Sequence, residues 1–233
     1  MATLILGNGF TAKYFSQIAG SELFIAGNNS ADPIYFDFYD ETTWDNLPEA
    51  NSCLITLKLT DPDLAQKLYE QKLKNCQKII LISSAGIFKN EEVDGVISER
   101  SEIDEDSDRA NAESVLINHG AIRICPGLIY GHERSLRDWL KQGRIKNARK
   151  IINLIHVKDL CRIIHLLFSK TPEEKTLLVS DNNPLRWQEL ADFFKVAVPS
   201  SNPGLESKRI DSSTIRKYLP EDFVFINPKC EEN

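Results

Sequence analysis

The chain has 233 residues, of which 42% are hydrophobic and 27% charged, which is ordinary for a globular protein with one buried core. Its 28 Lys and Arg residues against 34 Asp and Glu residues give a formal net charge of −6. This balance disfavours binding to nucleic acid or to anionic membranes, which both require a positive field. All apolar runs are shorter than the roughly 20 residues that span a bilayer, so we expect a cytoplasmic protein without a membrane segment.

The five cysteines and four histidines show no spacing that is typical of a metal site. The cysteines are also widely spaced and odd in number, which argues against a disulfide framework. We therefore expect reduced thiols and no bound metal. The residues concerned are Cys53, Cys76, Cys125, Cys161, Cys230, His119, His132, His156 and His165.

The first predicted element is an apolar strand at residues 3–6, which runs into the turn G-N-G-F-T-A at 7–12 and then into a helix. Strand, glycine turn and helix in this order match the dinucleotide fingerprint G-x-G-x-x-G/A. Gly7 allows the tight turn, Gly9 lets a pyrophosphate approach the backbone, and Ala12 lets the helix pack closely on the strand. The helix N-terminus would present free N–H groups to the phosphates. A purely structural turn is the alternative.

The second predicted strand, at residues 22–26, ends in a turn that contains Asn28. A dinucleotide-binding fold usually has an acidic residue there, which binds the ribose 2′-hydroxyl of NAD. We see none at the strand end, so NADP is slightly favoured over NAD, although no Arg or Lys stands there either. Asn28 contacts the cofactor or simply takes a turn conformation. Asp37 either binds the adenine amine or caps the next turn.

Short apolar strands alternate with helices along the rest of the chain. Further strands are predicted at 34–38, 52–57, 78–84, 121–125, 151–155 and 176–180. Helices are predicted at 42–47, 63–73, 109–118, 157–169, 187–195 and 212–219. This alternation predicts a doubly wound parallel sheet with helices on both faces. Ligands bind such sheets at the carboxyl ends of the strands, where Leu57, Ser83 and Pro126 are expected to converge.

Two segments carry unbalanced charge. Residues 89–108 are acidic, which indicates a solvated loop, with contact to a substrate as the alternative. Residues 134–150 are basic and form either a solvated helical face or a surface that binds an anion. Arg134 and Arg144 in the basic segment are the candidates for substrate binding. Residues 197–204 are rich in Pro and Ser and are predicted to form a loop.

Four motifs resemble motifs of the extended short-chain dehydrogenase/reductases, the relatives of the sugar-nucleotide epimerases and dehydratases, and they follow one another in the same order along the chain. They are the turn at 7–12, L-I-S-S-A-G-I-F at 81–88, C-P-G-L-I-Y-G at 125–131 and I-H-V-K-D-L at 155–160. The match covers residues 3 to about 185 and is most similar to the atypical branch of the family. The resemblance implies a Rossmann-type fold and a nicotinamide dinucleotide cofactor, NADP or NAD.

Catalysis in this family requires a Ser, a Tyr and a Lys, and here the pattern departs from the family. Ser84 matches the serine, whereas Glu105 stands at the tyrosine position and Arg109 at the lysine position. A glutamate does not replace a near-neutral proton donor without a large pKa shift, and arginine stays protonated. Tyr130 or His132 could substitute as proton donor, although Tyr130 also fits a packing role. Cys125 replaces the usual arginine before the strand exit and is expected to be a buried thiol.

Two functional interpretations remain, an NAD(P)-dependent oxidoreductase or epimerase-like enzyme and a non-catalytic dinucleotide-binding sensor or partner protein. In both, we expect one domain over 1–233, in which 132–150 and 184–233 form a small lobe over the crevice. The partners would be the dinucleotide and an unknown small molecule, in a monomer or homodimer. The expected cofactor contacts are Gly7, Asn8, Gly9, Phe10, Thr11, Asn28, Asp37, Leu57, Ser83, Arg109 and Pro126.

Overall fold

The computed structural model describes residues 2–20, 22–89, 95–199 and 207–230. The helices are α1 (Phe10–Ile18), α2 (Pro62–Leu68), α3 (Asp108–Asn118), α4 (Leu136–Lys141), α5 (Val157–Phe168) and α6 (Trp187–Phe194). The strands are β1 (Thr3–Leu6), β2 (Leu23–Gly27), β3 (Ile34–Tyr35), β4 (Ser52–Ile55), β5 (Lys78–Ile82), β6 (Val96–Ile97), β7 (Ile122–Pro126), β8 (Leu128–Tyr130), β9 (Ile151–Ile152), β10 (Leu154–His156), β11 (Thr176–Val179), β12 (Leu185–Arg186) and β13 (Arg209–Ile210).

Seven parallel strands form the central sheet in the order β11-β7-β5-β4-β1-β2-β3. Strand β1 lies between β2 and β4, so Leu4 is opposite Phe24 on one side and Cys53 on the other. The chain runs from β1 outward to β3 and then crosses back to β4, which reverses the strand order between β1 and β4. The predicted doubly wound parallel sheet is thus confirmed, and this reversal is where such folds bind ligands.

The two faces of the sheet carry separate apolar clusters because side chains alternate along each strand. Ile5 packs on the face covered by α1 and α5, whereas Leu4 and Leu6 pack on the face covered by α2 and α3. Ala12 in α1 is fully buried against the first face, as close packing of this helix requires. The two layers hold the carboxyl ends of β1, β4 and β5 at one edge.

A third apolar cluster joins α4 and α6 to β9 and β12, outside the central sheet. Leu140, Leu190 and Trp187 are buried in it. Helices α4 and α6 and strand β12 belong to the two segments that the sequence assigns to a small lobe, whereas β9 lies just outside them. The lobe and the single-domain boundary stay predictions, because residues 200–206 and 231–233, including most of the predicted loop at 197–204, lie outside the described residues.

The predicted third strand is shorter than expected. Residues 34–38 were predicted as one strand, but β3 ends at Tyr35 because the chain turns inward to bury Phe36 and Phe38. The carbonyl of Asp37 then accepts a hydrogen bond from Trp44 Nε1 at 3.0 Å. The helix predicted at 42–47 is a 3-10 helix at Glu41–Asn46, whose first turn is capped by the Asp40 side chain.

Several short elements lack a sequence signal, and the single strand predicted at 151–155 is divided into β9 and β10, which pair with different strands. β8 pairs in parallel with β10, β9 pairs antiparallel with β12, and β6 pairs in parallel with β13. Strands of two or three residues are too short for a hydrophobic period to be visible. The acidic segment at 89–108 contains β6, while its residues 90–94 lie outside the described part. None of the helices in the described ranges is long and apolar enough to cross a membrane.

Two buried side chains hold the peptide groups of Ile226 near the end of the chain. The Tyr130 hydroxyl donates to the Ile226 carbonyl at 2.9 Å, and the Ile226 N–H donates to the Asp159 carboxylate at 2.7 Å. Asp159 also pairs with Arg162 at 3.2 Å. Burial raises the pKa of Asp159, while these two partners oppose the rise. The C-terminal segment is therefore part of the packed core.

Asp181, just after β11, is expected to destabilise the protein at neutral pH. Burial, more than the nearby Asp159 charge, raises the pKa of Asp181 from 3.8 to about 6. At pH 7 the folded state must therefore hold an unfavourable charge, and this cost disappears as the pH falls through 6. Asp181→Asn keeps the acceptor for the Asn183 N–H, so we expect it to raise the free energy of unfolding by about 1 kcal/mol at pH 7.

Urea unfolding at pH 7 and pH 4 measures this effect, and the two proteins should converge at pH 4. Asp211→Asn is the matched control, because hydrogen bonds from Ser213 lower the pKa of Asp211. This control should lose stability at pH 7 where Asp181→Asn gains it. A gain for Asp181→Asn that is equal at both pH values would contradict the assignment.

Candidate functional site

The glycine turn between β1 and α1 opens onto a cavity of about 610 Å³, which we call the turn cavity. It lies at the carboxyl ends of β1, β2 and β4, on the side of the strand-order reversal. Of the predicted cofactor contacts, the structure places Gly7, Asn8, Gly9, Asn28, Asp37 and Leu57 around it. Lys13, Asp32, Tyr39 and Lys58 also line it.

Gly7 and Gly9 have different reasons to be glycine. Gly7 has φ +103°, and a Cβ there would lie 2.5 Å from Thr56 Oγ1, so the turn itself requires glycine. Gly9 has an ordinary extended backbone at φ −86°, and a Cβ there would meet no described atom within 4 Å. The fold therefore does not require glycine at position 9. The first turn of α1 has no side-chain cap, so its N–H groups face this space.

An acidic residue does reach the end of β2, which corrects the sequence prediction that none stands there. Asp32 lies in a turn closed by its own N–H on the Asn29 carbonyl at 2.9 Å. Its carboxylate accepts from Asn8 Nδ2 at 2.6 Å and from the Asn29 N–H at 2.9 Å. The carboxylate fills the space over Gly27, where a Cβ would lie 2.2 Å from Asp32 Oδ2.

This carboxylate was missed because it comes five residues after the strand ends. Gly27 was the available signal, since a glycine at a strand end often marks the close approach of another group. The carboxylate would repel a 2′-phosphate, so the structural basis for favouring NADP over NAD is removed. Asp37 also lines the cavity, but its Oδ1 accepts from the Tyr39 N–H at 2.9 Å, as a capping side chain would.

A second opening of about 740 Å³ continues along the carboxyl ends of β5 and β7, and we call it the cationic crevice. The structure brings together here the predicted residues Ser83, Ser84, Arg109, Pro126, Arg134 and Arg144. Lys150, Lys208, Trp139 and Trp187 line it as well. Its described lining has five Arg or Lys side chains and no Asp, Glu, His, Cys or Tyr, so it favours an anion.

A buried carboxylate fixes the floor of the cationic crevice. Glu113, which is 1% exposed, accepts from Arg109 Nε at 2.7 Å and from the Ser83 hydroxyl at 2.5 Å. Arg123 Nε lies 3.1 Å from the same carboxylate. Arg109 also donates from Nη2 to the Ile82 carbonyl at 2.7 Å. The Arg109 guanidinium is thus held in place at the crevice.

Ser84 lines the crevice, but Tyr130 and His132, the predicted alternative proton donors, are not part of its described lining. The Ser84 hydroxyl accepts from the Gly86 N–H at 3.1 Å. Tyr130 is fully buried and directs its hydroxyl to Ile226, as described above. This environment agrees with the packing role for Tyr130. His132 lines a separate cavity, and Glu105 is exposed outside the described crevice lining.

The remaining predicted contacts lie beside the turn. Phe10 is the first residue of α1, and its ring lies beneath the Arg134 guanidinium, 4.6 Å from the ring centroid. Thr11 is buried in the next position, and its carbonyl accepts from Cys161 Sγ. Burial raises the pKa of the Cys125 thiol to about 12, so Cys125 is no thiolate nucleophile at neutral pH. No His, Cys, Asp and Glu cluster in the described ranges could hold a metal ion.

Neither a protein-family model nor a curated protein matches the sequence. Solved structures do match it. MoeE5 in complex with UDP-glucuronic acid and NAD is 15% identical, with a TM-score of 0.74 over 94% of this chain and 92% of that chain. TunA, a NAD-dependent NDP-hexosamine 5,6-dehydratase, is 12% identical, with a TM-score of 0.75 over 98% and 94%.

RMD from Pseudomonas aeruginosa, complexed with NADPH, is 15% identical, with a TM-score of 0.71 over 98% of this chain and 95% of that chain. Each of these neighbours matches nearly the full length of both chains, so the likeness extends beyond the glycine turn to the elements around the crevice. The TM-scores and the coverage establish the fold, and at sequence identities of 12–15% they establish the fold alone. This chain therefore has the fold of NAD-dependent epimerases and dehydratases, which confirms at the level of fold the resemblance seen in the four motifs.

Proposed function

We propose that this chain binds NAD across the turn cavity and the cationic crevice. The observation that carries the proposal is the open space over Gly9, where neither backbone strain nor a described neighbour requires glycine. A pyrophosphate against the backbone N–H groups of the turn would use that space and would be stabilised by the α1 N-terminus. MoeE5 holds NAD and RMD holds NADPH in the same fold, which supports a nicotinamide dinucleotide.

NAD is proposed rather than NADP because of Asp32. Its carboxylate would accept hydrogen bonds from the hydroxyls of the adenosine ribose and would repel a 2′-phosphate. Lys13 and Lys58 also line the turn cavity, but Asp32 is the residue anchored at the end of β2. Bound NAD would supply a nicotinamide for hydride transfer. The chain itself would supply the orientation through Arg109, held by Glu113 and the Ile82 carbonyl.

The second ligand is proposed to be an anionic small molecule. Arg144, Lys150 and Lys208 are cations of the crevice lining, which also includes the indole of Trp139 and an edge of the largely buried Trp187. A phosphate or carboxylate group attached to a ring would satisfy both features. The UDP-glucuronic acid in MoeE5 is one ligand of this kind, in a neighbour of the same fold.

We infer that the chain holds its dinucleotide without the usual proton-transfer pair, which favours the non-catalytic interpretation. Glu105 and Arg109 stand at the Tyr and Lys positions of the family pattern, and the described crevice lining has no Asp, Glu, His, Cys or Tyr side chain to take over proton transfer. The redox alternative is tested by following nicotinamide absorbance with NADH or NADPH and a panel of carbonyl compounds. Turnover that is lost in Ser84→Ala would reverse this inference.

Thermal unfolding with added nucleotide tests the binding proposal and its specificity. A ligand at one hundred times its Kd adds about 2.7 kcal/mol to the free energy of unfolding. Since Asp32 is proposed to favour NAD, NAD should raise the melting temperature more than NADP does at the same concentration. In Asp32→Asn, the affinity for NAD should fall at least about tenfold, and the difference between NAD and NADP should shrink. Asp63→Asn, in the exposed first turn of α2, is the control and should change neither.

If neither nucleotide shifts the melting temperature of the unsubstituted protein at about 1 mM, the binding proposal fails. If NADP gives the larger shift, Asp32 does not determine specificity and the preference for NAD is wrong. Asp32 is bonded to Asn8 and Asn29, so unfolding of Asp32→Asn without nucleotide must be measured as well. If Asp32→Asn loses affinity for NAD while its stability without nucleotide is unchanged, the loss comes from a lost contact with the nucleotide and not from a disturbed fold.

A further inference from the structure

Arg134 is held next to the glycine turn by contacts of both its backbone and its side chain. Its N–H donates to the Gly131 carbonyl at 2.8 Å, which closes a tight turn after β8. Its guanidinium carbon lies 4.6 Å from the centroid of the Phe10 ring, a cation–π contact. Phe10 is the first residue of α1 and directly follows Gly9, so this contact places the cation near the N-terminus of that helix.

The turn that carries Arg134 is packed firmly against α1 and α5. Gly131 has φ +158°, and a Cβ at this position would lie 2.8 Å from Val157 Cγ1 and 3.5 Å from Phe10 Cζ. No larger residue fits without displacing these neighbours. The backbone from Gly131 to Arg134 is therefore fixed relative to the start of α1, which limits the region that the Arg134 guanidinium can reach.

The charge of Arg134 is not neutralised within the described residues. No described carboxylate lies within 4.0 Å of its guanidinium, whereas Arg109 and Arg123 share Glu113. Arg134 is also exposed, so its position on Phe10 costs little desolvation. A solvated guanidinium beside the N-terminus of α1 is suited to a ligand with more than one negative oxygen, because its N–H groups bind such oxygens in pairs.

We propose that Arg134 binds the diphosphate of the dinucleotide, rather than the second ligand as the sequence predicted. The Gly9 backbone and the first turn of α1 would contact the phosphates from one side, and the Arg134 guanidinium would cover them from the other. The inference rests on the proposed binding of NAD. Because Arg134 lines the cationic crevice and is not among the residues around the turn cavity, it would contact the phosphate nearer the nicotinamide, which AMP lacks.

Calorimetric titration with NAD and with AMP tests this inference. In Arg134→Gln, the affinity for NAD should fall about thirtyfold, and the affinity for AMP less than about threefold, because AMP has no second phosphate. Arg134→Lys should restore part of the NAD affinity, since it keeps the charge but not the paired N–H groups. Arg137→Gln, which removes a cation of the same basic segment that lines the separate cavity beside His132, should leave NAD affinity unchanged within about threefold.

The outcomes separate this inference from the proposed function. Failure of the unsubstituted protein to bind NAD overturns both. Unchanged NAD affinity in Arg134→Gln overturns the role of Arg134 alone, as does an equal loss for NAD and AMP. An equal loss in Arg137→Gln also overturns it, because the effect would then be that of a general positive field. Arg134 is exposed, so its variants should fold, and their melting temperatures without ligand check this.

Discussion

Replacing Glu113 with alanine is expected to lower the free energy of unfolding by about 4 kcal/mol, because it leaves a buried guanidinium without its charge partner. The Arg123 side chain is 2% exposed and its Nε lies 3.1 Å from Glu113. Arg123 Nη2 donates to the Ala110 carbonyl at 3.1 Å and to Ser114 Oγ at 3.2 Å. These neutral acceptors do not compensate a buried charge. The Ser83 hydroxyl loses its acceptor as well.

Urea unfolding followed by circular dichroism measures this loss. Glu221→Ala is the control, since this exposed carboxylate should contribute less than about 0.5 kcal/mol. The double variant Glu113→Leu, Arg123→Met removes both charges and should be more stable than Glu113→Ala. A double variant less stable than the single one would show that the guanidinium is satisfied without Glu113. The explanation by an uncompensated charge would then be wrong.

Gly9→Val is expected to lower NAD affinity at least about a hundredfold while stability changes by less than about 1 kcal/mol. The φ of −86° and ψ of −169° suit a β-branched residue, and the built Cβ meets no described atom within 4 Å. The side chain would occupy the space that the pyrophosphate is proposed to use. Titration calorimetry gives the affinity, and thermal unfolding without nucleotide gives the stability.

Gly7→Ala is the contrasting variant. With φ +103° and Thr56 Oγ1 at 2.5 Å from the added Cβ, it should lose both stability and binding. Comparison of the two variants separates a loss of NAD affinity that comes from a disturbed fold, as in Gly7→Ala, from one that comes from a blocked phosphate site, as in Gly9→Val. NAD affinity that survives in Gly9→Val would mean that no phosphate approaches the turn closely, which contradicts the proposed site.

The strand, glycine turn and helix at the start of the chain could be predicted because their signals are local. Apolar residues 4–6, Gly7 and the helix after Gly9 each act through neighbours in sequence. The parallel sheet followed from the alternation of strands and helices. The position of Asp32 could not be predicted, since its carboxylate reaches the end of β2 through a turn whose shape depends on Asn8 and Asn29.

The fate of the basic segment shows a second limit of sequence reasoning. Residues 134–150 form one run of positive charge, but the fold divides it. Arg134, Arg144 and Lys150 line the cationic crevice, whereas Arg137 lines the separate cavity beside His132. The division depends on the orientation of α4 and of the turn after β8, which long-range pairing with β10 sets. Tyr130 could not be placed for the same reason.

The hydrogen bonds of Ile226 can form only late during synthesis of the chain. Its partners Tyr130 and Asp159 precede it by 96 and 67 residues. During synthesis from the N-terminus, the central sheet and α5 are made before this segment is available. Until it arrives, a phenolic hydroxyl and a carboxylate lack the peptide group that satisfies them in the folded protein. Docking of the segment around Ile226 would therefore put a peptide group in the place of water at the Tyr130 hydroxyl and the Asp159 carboxylate.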